Sequence, residues 1–221
     1  MIIKGVIFDL DGVLTDTAVH HFHAWKALAE QLGVSFNEQD NEALKGVSRR
    51  DSLLRILEKG GLNPKDYPLE ELMNQKNALY LQEVHKLTPD DQFVGVAELL
   101  ASLRADGYLL GVASASKNAA LVLEKLQMTH YFDAIGDASA VTRSKPDPEI
   151  FLQVAERLNL PAAQCVGVED AQSGIDAIIS AGMFPIGIGS AEQLPKAQII
   201  YSTTKQLNLA DIHAINHSTQ S

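Results

Sequence analysis

Two aspartates, Asp9 and Asp11, directly follow the short apolar run of residues 6–8. In a strand, residues two apart point to the same side of the backbone, so the two carboxylates would face the same way. Two negative charges about 4 Å apart repel each other by roughly 4 kcal/mol at an effective dielectric constant near 20. The pair alone is compatible with a turn or a helix cap. A chain that accepts this repulsion is expected to hold a cation there, to perform chemistry there, or both.

Three other predicted strands are followed by side chains that could join these aspartates. Ser114 follows the second predicted strand, Lys145 lies in a loop near the third, and Glu169 and Asp170 follow the fourth. Each has an ordinary explanation in isolation, such as a helix cap or a solvated surface amine. Ligands of open parallel sheets bind beyond the carboxyl ends of the strands, where all four positions would meet. Their coincidence at four strand ends therefore predicts one common site.

This combination of side chains is suited to phosphoryl transfer. Asp9 would attack as the nucleophile and carry an aspartyl phosphate. Lys145 and Ser114 would steady the oxygens of the transferred group. Asp11 would give and take the proton of the leaving or attacking hydroxyl. The predicted catalytic residues are therefore Asp9, Asp11, Ser114 and Lys145.

The same residues predict a bound divalent cation. A carboxylate can approach an anionic phosphate only if the charge is relieved, and a hard cation such as Mg²⁺ would supply that relief. We expect Asp9, Asp170 and a backbone carbonyl of Asp11 to hold the ion. Glu169 would bind it as well or orient its water ligands. The predicted metal site comprises Asp9, Asp11, Glu169 and Asp170, and the predicted cofactor is Mg²⁺.

The elements that must position these residues follow from the hydrophobic pattern. Short apolar runs alternate with helical patterns of about ten residues, which predicts a parallel sheet covered on both faces. Residues between 15 and 91 show only helical patterns, with Asp51 as the expected cap of a helix over 51–59. We predict an α/β fold with a Rossmann-like parallel sheet core, helices on both faces and an inserted all-helical cap. The catalytic core would comprise residues 1–15 and 92–221, and the cap residues 16–91.

Composition and charge narrow the classes of function. Hydrophobic residues make up 46% and charged residues 21% of the 221 residues, as in ordinary globular proteins. A formal net charge of −10 disfavours nucleic-acid binding. Cys165 is the single cysteine, so no internal disulfide can form, which suits a reducing compartment. No signal-peptide pattern and no apolar run of about 20 residues is present. We expect a cytoplasmic protein that binds neither nucleic acid nor membrane and, lacking a long apolar surface stripe, is a monomer.

The four motif positions resemble those of the haloacid dehalogenase superfamily of phosphotransferases. The matching residues are Asp9-x-Asp11, Ser114, Lys145 and Glu169-Asp170. The helical segment after the first motif resembles the mobile cap of that superfamily, and the resemblance extends over essentially the whole chain. It implies a metal-dependent enzyme that acts on small phosphorylated molecules.

Segments of the predicted cap narrow the resemblance to sugar-phosphate mutases of that superfamily. These segments are residues 21–26, 44–49 and 76–77, together with the core segment 114–118. The resemblance implies that β-glucose 1-phosphate becomes glucose 6-phosphate through a bound 1,6-bisphosphate. Arg49, Ser116, Lys117 and Asn118 would hold the phosphate that is not reacting.

The resemblance also assigns roles to other residues around the sugar. The segment 45–49 would close over the ring, and Ser52 would contact it. Thr17, His21 and Lys76 would couple closure to the position of Asp11. The substrate-binding residues implied in this way are Thr17, His21, Lys45, Gly46, Val47, Ser48, Arg49, Ser52, Lys76, Ser114, Ala115, Ser116, Lys117 and Asn118.

Two other functions stay open at this point. A sugar-phosphate phosphatase would use the same core and let water attack the aspartyl phosphate, whereas a mutase needs a closing lid and a second phosphate clamp. A binding module that has lost catalysis is disfavoured, because every acid and the lysine are present. A zinc site at His20, His21 and His23 is also disfavoured, because no further cysteine or histidine lies at a suitable spacing.

Overall fold

The sheet of the protein positions the candidate site. A computed structural model describes residues 2–218, and the side chains of residues 2–216. In this part of the chain six strands form one parallel sheet in the order β3-β2-β1-β4-β5-β6. The strands are β1 (Gly5–Phe8), β2 (Leu109–Val112), β3 (Ala134–Ile135), β4 (Cys165–Glu169), β5 (Phe184–Ile188) and β6 (Ile199–Tyr201). The predicted α/β fold is confirmed.

The central strand β1 aligns the three strands that carry the site. Phe8 pairs with Val112 of β2 on one side and with Val168 of β4 on the other. All four residues of β1 are buried, because both faces of the sheet are covered by helices. The carboxyl ends of β1, β2 and β4 therefore lie side by side at one edge of the sheet.

The described residues contain nine α-helices. They are α1 (Ala18–Gln31), α2 (Glu38–Glu42), α3 (Arg49–Lys59), α4 (Leu69–Val84), α5 (Val96–Ala105), α6 (Ala119–Lys125), α7 (Glu149–Arg157), α8 (Gln172–Ser180) and α9 (Leu209–Ser218). Helices α5, α6 and α9 cover one face of the sheet. Helices α7 and α8 cover the other.

Helices α1 to α4 have an apolar cluster of their own. Trp25 and Leu28 of α1 pack there with Leu53 and Ile56 of α3 and Met73 of α4. Residues 16–91, all of them described, contain helices and no strand. Helices α1 and α4 also contribute to the cluster on the sheet. The limits of a cap at residues 16 and 91 stay a prediction, and residues 1 and 219–221 of the predicted core lie outside the described residues.

Two details of the sequence interpretation need correction. Helix α3 begins at Arg49 rather than at 51, because Ser48 and not Asp51 is its cap: the Ser48 hydroxyl accepts a hydrogen bond from the Asp51 N–H at 3.1 Å. The helix α9 had no predicted counterpart, although Ile212 and Ile215 lie buried at helical spacing. Among residues 2–218, no helix is both long and apolar enough to span a bilayer.

Candidate active site

The candidate active site lies at the carboxyl ends of β1, β2 and β4. Asp9 directly follows β1, and its backbone N–H donates to the Val168 carbonyl at 2.9 Å. Ser114 lies two residues beyond β2, and Glu169 ends β4. The aligned register of three neighbouring strands therefore brings together residues that are up to 160 positions apart in the chain, from Asp9 to Glu169.

Lys145 joins the carboxylates of two strands. Its Nζ donates to Asp9 Oδ1 at 2.8 Å, to Glu169 Oε2 at 2.7 Å and to the Ala113 carbonyl at 3.0 Å. The side chain is fully buried. Burial by itself would lower the pKa of Lys145, but the carboxylates of Asp9 and Glu169 raise it above its ordinary value. Lys145 is therefore a fixed cation that holds Asp9 and offsets its charge.

Asp11 has surroundings suited to holding or releasing a proton. The Thr17 hydroxyl donates to its Oδ1, and His21 Nε2 lies 3.8 Å from the same oxygen. Burial, and next to it the negative charge of Asp9, raise the pKa of Asp11 to about 7. A carboxyl group with a pKa near neutrality can act as a general acid in one step and a general base in the next.

Three carboxylates form a cluster with the chemistry of a divalent metal site. One oxygen from each of Asp9, Glu169 and Asp170 lies within 4.8 Å of the others. Burial raises the pKa of both Glu169 and Asp170, so the cluster favours a neutralising partner. These hard oxygen donors fit a divalent cation of the Mg²⁺ type. Glu169 already accepts hydrogen bonds from Lys145, and from the N–H groups of Asp170 and Ala171 at 3.1 and 3.2 Å.

Two glycines let these carboxylates approach the backbone closely. A Cβ on Gly174 would lie 1.9 Å from Glu169 Oε2. Gly12 has a φ of +82°, and a Cβ there would lie 2.2 Å from Asp170 Oδ2. A side chain at either position would displace a predicted metal ligand, which explains the glycine at each.

The segment between α2 and α3 lies directly over this end of the sheet. Lys45 Nζ donates to Asp170 Oδ2 at 3.0 Å, and the Ser173 hydroxyl donates to the Lys45 carbonyl at 3.0 Å. The Ser144 hydroxyl donates to Asp51 Oδ2 at 2.8 Å. Polar contacts therefore join Lys45 and Asp51 to residues that lie beyond the carboxyl ends of the strands.

A cavity lies between this segment and the sheet. Thirteen of the predicted site residues line it, namely Asp9, Asp11, His21, Lys45, Gly46, Val47, Arg49, Ser52, Lys76, Ala115, Ser116, Lys117 and Asp170. The other predicted residues do not line this cavity, and Ser48, Ser114 and Lys145 line a neighbouring one. Thr17 supports Asp11, Lys145 joins Asp9 to Glu169, Ser48 caps α3, and the Ser114 hydroxyl accepts from the Ser116 N–H at 3.0 Å.

Asn77 organises the part of the cavity that Arg49 and Lys117 line, which we call the far end. Its Oδ1 accepts from Arg49 Nη2 at 2.8 Å and from Asn118 Nδ2 at 2.9 Å. One amide oxygen thus orients a guanidinium from α3 and a side chain at the start of α6. The sequence interpretation quoted Asn77 beside Lys76 but gave it no role. Arg49 makes this contact with Asn77 rather than an ion pair with the nearby Asp51.

A buried lysine and histidine connect α4 with α1. Lys76 Nζ lies 2.6 Å from His21 Nδ1 and 4.8 Å from the centre of the Trp25 ring. Burial, and next to it the charge of Arg49, lower the pKa of Lys76 to about 7. Burial and the charge of Lys76 also lower the pKa of His21. This contact favours the neutral tautomer of His21 that accepts from Lys76 and presents its N–H towards Asp11.

Some cavity residues were missed by sequence reasoning. Asn41, Leu44 and Ala18 line the cavity, and Trp25 does so while being only 3% exposed. Helical periodicity alone does not distinguish Trp25 from the other residues of the apolar cluster to which it belongs. No pattern in a single sequence marks Asn41, which lies outside the segments that narrow the resemblance.

The comparisons with known proteins agree with this geometry. A model of the family "Hydrolase: haloacid dehalogenase-like hydrolase" matches residues 3–182. The chain is 44% identical to a β-phosphoglucomutase of Bacillus subtilis over 95% of this chain and 94% of that protein. It is 32% identical to a phosphorylated carbohydrates phosphatase of Thermotoga maritima over 81% and 82% of the two chains.

A solved structure matches the fold almost completely. The crystal structure of a β-phosphoglucomutase from Clostridium difficile superposes with a TM-score of 0.96 at 40% identity, covering 99% of each chain. The resemblance to the superfamily is therefore confirmed. The chain belongs to the haloacid dehalogenase-like hydrolase family, and within it the chain is a phosphotransferase enzyme of the isomerase class.

Proposed function

We propose that the enzyme interconverts β-D-glucose 1-phosphate and glucose 6-phosphate through an aspartyl phosphate and β-glucose 1,6-bisphosphate. The observation that carries the proposal is a single cavity lined by two groups of polar side chains. One group contains Asp9, which accepts from Lys145, and the other contains Arg49 and Lys117. A substrate with two phosphate positions fits such a cavity, and the 44% identity to a β-phosphoglucomutase supports the same reading.

Asp9 is the nucleophile of the proposed reaction. Its carboxylate oxygen attacks the phosphorus of the bisphosphate, and the bond from phosphorus to the sugar oxygen breaks. Asp11 gives its proton to that departing oxygen. In the reverse sense, a sugar hydroxyl attacks the phosphorus on Asp9 while Asp11 takes the hydroxyl proton, so one carboxyl group serves both directions.

The remaining residues at this end stabilise charge. Lys145 and Ser114 steady the oxygens of the transferred group. We propose Mg²⁺ as the cofactor, held by Asp9, Asp170 and the Asp11 carbonyl, with Glu169 as a further ligand or as an orienting group. When bound, the ion would neutralise the negative charge shared by Asp9 and the phosphoryl group.

The far end of the cavity would bind the phosphate that is not reacting. Arg49, Ser116, Lys117 and Asn118 form this clamp in the proposal, with Asn77 holding Arg49 and Asn118 in place. The segment 45–49 and Ser52 would contact the sugar. Residues 16–91 would form a cap on a core of residues 1–15 and 92–221, and its closure would exclude water from the aspartyl phosphate.

A phosphatase acting on hexose phosphates is the second candidate. It is favoured by the 32% identity to the Thermotoga maritima phosphatase. The two candidates differ only in whether water or a sugar hydroxyl attacks the aspartyl phosphate.

Product analysis separates the two candidates. Pure α- and β-glucose 1-phosphate are each incubated with the enzyme, MgCl₂ and a trace of glucose 1,6-bisphosphate, and glucose 6-phosphate and free phosphate are both measured. The proposal predicts glucose 6-phosphate from the β anomer only, with little free phosphate. Release of free phosphate without isomer would refute it in favour of the phosphatase.

We further propose that the enzyme is a cytoplasmic monomer that binds neither nucleic acid nor membranes. Light scattering is expected to give the mass of a single chain, 24.0 kDa. A stable mass of twice that value would contradict the monomer.

A further inference from the structure

Tyr80 contacts His21 and Lys76, two residues that line the cavity. It belongs to α4 and is fully buried. Its ring stacks on the imidazole of His21, with the ring centroids 4.0 Å apart and the planes 16° apart. Lys76 Nζ lies 4.9 Å from the centre of the same ring. The Tyr80 ring therefore fixes the pair of side chains that connects α4 with α1.

The hydroxyl of Tyr80 is unusual for a buried group. Within the described side chains, it is one of two buried polar atoms that have no hydrogen-bond partner. Burial and the negative charge of Asp11 raise the pKa of Tyr80, and the nearby hydroxyls of Ser116 and Thr17 lower it in part, although neither forms a hydrogen bond of good geometry with it. Buried polar groups are nearly always hydrogen-bonded, so an exception between two hydroxyls calls for a functional explanation.

The two neighbouring hydroxyls serve opposite ends of the cavity. Thr17 donates to Asp11, the proposed acid and base. Ser116 lines the cavity within the proposed phosphate clamp, and its hydroxyl accepts from the Asn118 N–H at 3.2 Å. A phenol has one O–H to donate, and each of these hydroxyl oxygens can accept it. A hydroxyl that accepts a hydrogen bond also becomes a stronger donor to its own acceptor.

On the basis of the proposed function, we propose that Tyr80 is a positioning residue that couples the proton-transfer group to the far phosphate clamp through Thr17 and Ser116. Its O–H can donate to Thr17, which donates to Asp11, or to Ser116, which lines the clamp. The stacked ring holds the hydroxyl between these two positions. Tyr80 itself touches neither the sugar nor the transferred group.

Double-mutant cycles test this role. Tyr80→Phe keeps the ring and removes the hydroxyl, and it is combined in turn with Ser116→Ala and with Thr17→Val. We expect Tyr80→Phe alone to lower kcat/KM about fivefold to tenfold, the effect of one hydrogen bond. When Ser116→Ala is already present, we expect Tyr80→Phe to change KM by less than about twofold. When Thr17→Val is already present, we expect Tyr80→Phe to change kcat by less than about twofold.

Tyr108→Phe is the matched control. The hydroxyl of Tyr108 accepts from Asn216 Nδ2 at 3.2 Å, and Tyr108 lies at the amino end of β2, at the opposite edge of the sheet from Ser114. Tyr108→Phe should leave kcat and KM unchanged.

The proposal would be overturned if Tyr80→Phe left kcat/KM unchanged, or lowered it equally in the wild-type, Ser116→Ala and Thr17→Val enzymes. If only one of the two variants, Ser116→Ala or Thr17→Val, abolished the effect of Tyr80→Phe, the role of Tyr80 in joining the two ends would be overturned.

A binding measurement separates this proposal from the proposed function. Trp25 is the single tryptophan of the chain and lines the cavity, so its fluorescence reports on occupation of the cavity by glucose 6-phosphate. Tyr80→Phe should weaken this binding in the wild-type background and not in the Ser116→Ala background. If the wild-type enzyme binds glucose 6-phosphate but forms no isomer, the proposed function fails while this binding cycle still decides the role of Tyr80.

Discussion

The two ends of the cavity carry opposite imbalances of charge. At the sheet end, the carboxylates of Asp9, Asp11, Glu169 and Asp170 face two ammonium groups, those of Lys145 and Lys45. At the far end, Arg49 and Lys117 line the cavity, and Arg49 donates to the Asn77 amide oxygen rather than to a carboxylate. The sheet end is therefore short of positive charge and the far end is short of negative charge.

This difference indicates what each end is built to receive. A divalent cation would balance the sheet end, and a phosphate would balance the far end. The carboxylates of the sheet end are placed by the register of β1 and β4, whereas Lys45 reaches them from the segment between α2 and α3. The far end depends on α3 and α4 lying against the 114–118 segment.

Asp9→Asn is expected to have the largest effect. It removes the nucleophile at the sheet end, so turnover should fall by at least about 10⁴-fold and covalent labelling by glucose 1,6-bisphosphate should vanish. Mass spectrometry of the intact protein measures the label. Asp66→Asn, at an exposed turn between α3 and α4, is the control. Retained turnover would show that the sheet end does not supply the nucleophile.

Asp11→Asn should have the next largest effect. An amide cannot exchange the proton, so isomerisation should slow by roughly 10²–10⁴-fold, the usual contribution of a general acid and base. Labelling of Asp9 should survive, only more slowly, because the nucleophile is intact. Rapid-quench kinetics measure the labelling step. A near-normal rate would place the proton transfer on another residue.

Arg49→Ala tests the far end. It removes a guanidinium that binds one phosphate, so kcat/KM should fall by about 10²-fold with most of the loss in KM. Arg50→Ala, on the exposed neighbouring residue, should change neither constant. Steady-state kinetics with β-glucose 1-phosphate measure both variants. Equal effects of the two variants would show that the far end is not a specific clamp.

Lys76→Met is expected to give the smallest effect considered, a pH-dependent change in stability. Because the folded pKa of Lys76 is about 7 and its ordinary value is 10.5, the unfolded chain binds more protons between these two pH values. The stability contributed by this group therefore rises with pH across that window.

Removing the amine should stabilise the free protein at pH 6.5, and the gain should shrink by pH 9.5. Urea unfolding at both pH values measures the difference, with Lys65→Met on an exposed lysine as the control. A gain of equal size at both pH values would show that the pKa of Lys76 is not lowered in the folded protein.

The sheet end could be predicted from the chain in some detail. Asp9, Ser114 and Glu169 follow apolar runs, and the rule that parallel strands end at one edge was enough to place them together. Lys145 was assigned to the same rim, although its contact with both Asp9 and Glu169 needed the structure. Helix α3 was placed two residues too late, because Ser48 and Asp51 are both acceptable caps in sequence and only the backbone decides between them.

The far end could not be derived from patterns in the same way. Asn77 and Tyr80 are ordinary members of an amphipathic helix, and Asn41 has no distinguishing neighbour. Their roles depend on how α1, α3 and α4 pack together and against the sheet. Resemblance to the superfamily supplied Arg49 and Lys76, but not the partners that hold them.

Local order along the chain was sufficient for the α/β fold and for the acidic edge, because strand ends and hydrophobic periodicity are short-range properties that each segment carries alone. The shared hydrogen bonds of Asn77, the contact between Lys76 and His21 and the unpaired hydroxyl of Tyr80 arose from packing between helices distant in the chain. Such contacts depend on the relative orientation of several elements, which no single segment encodes.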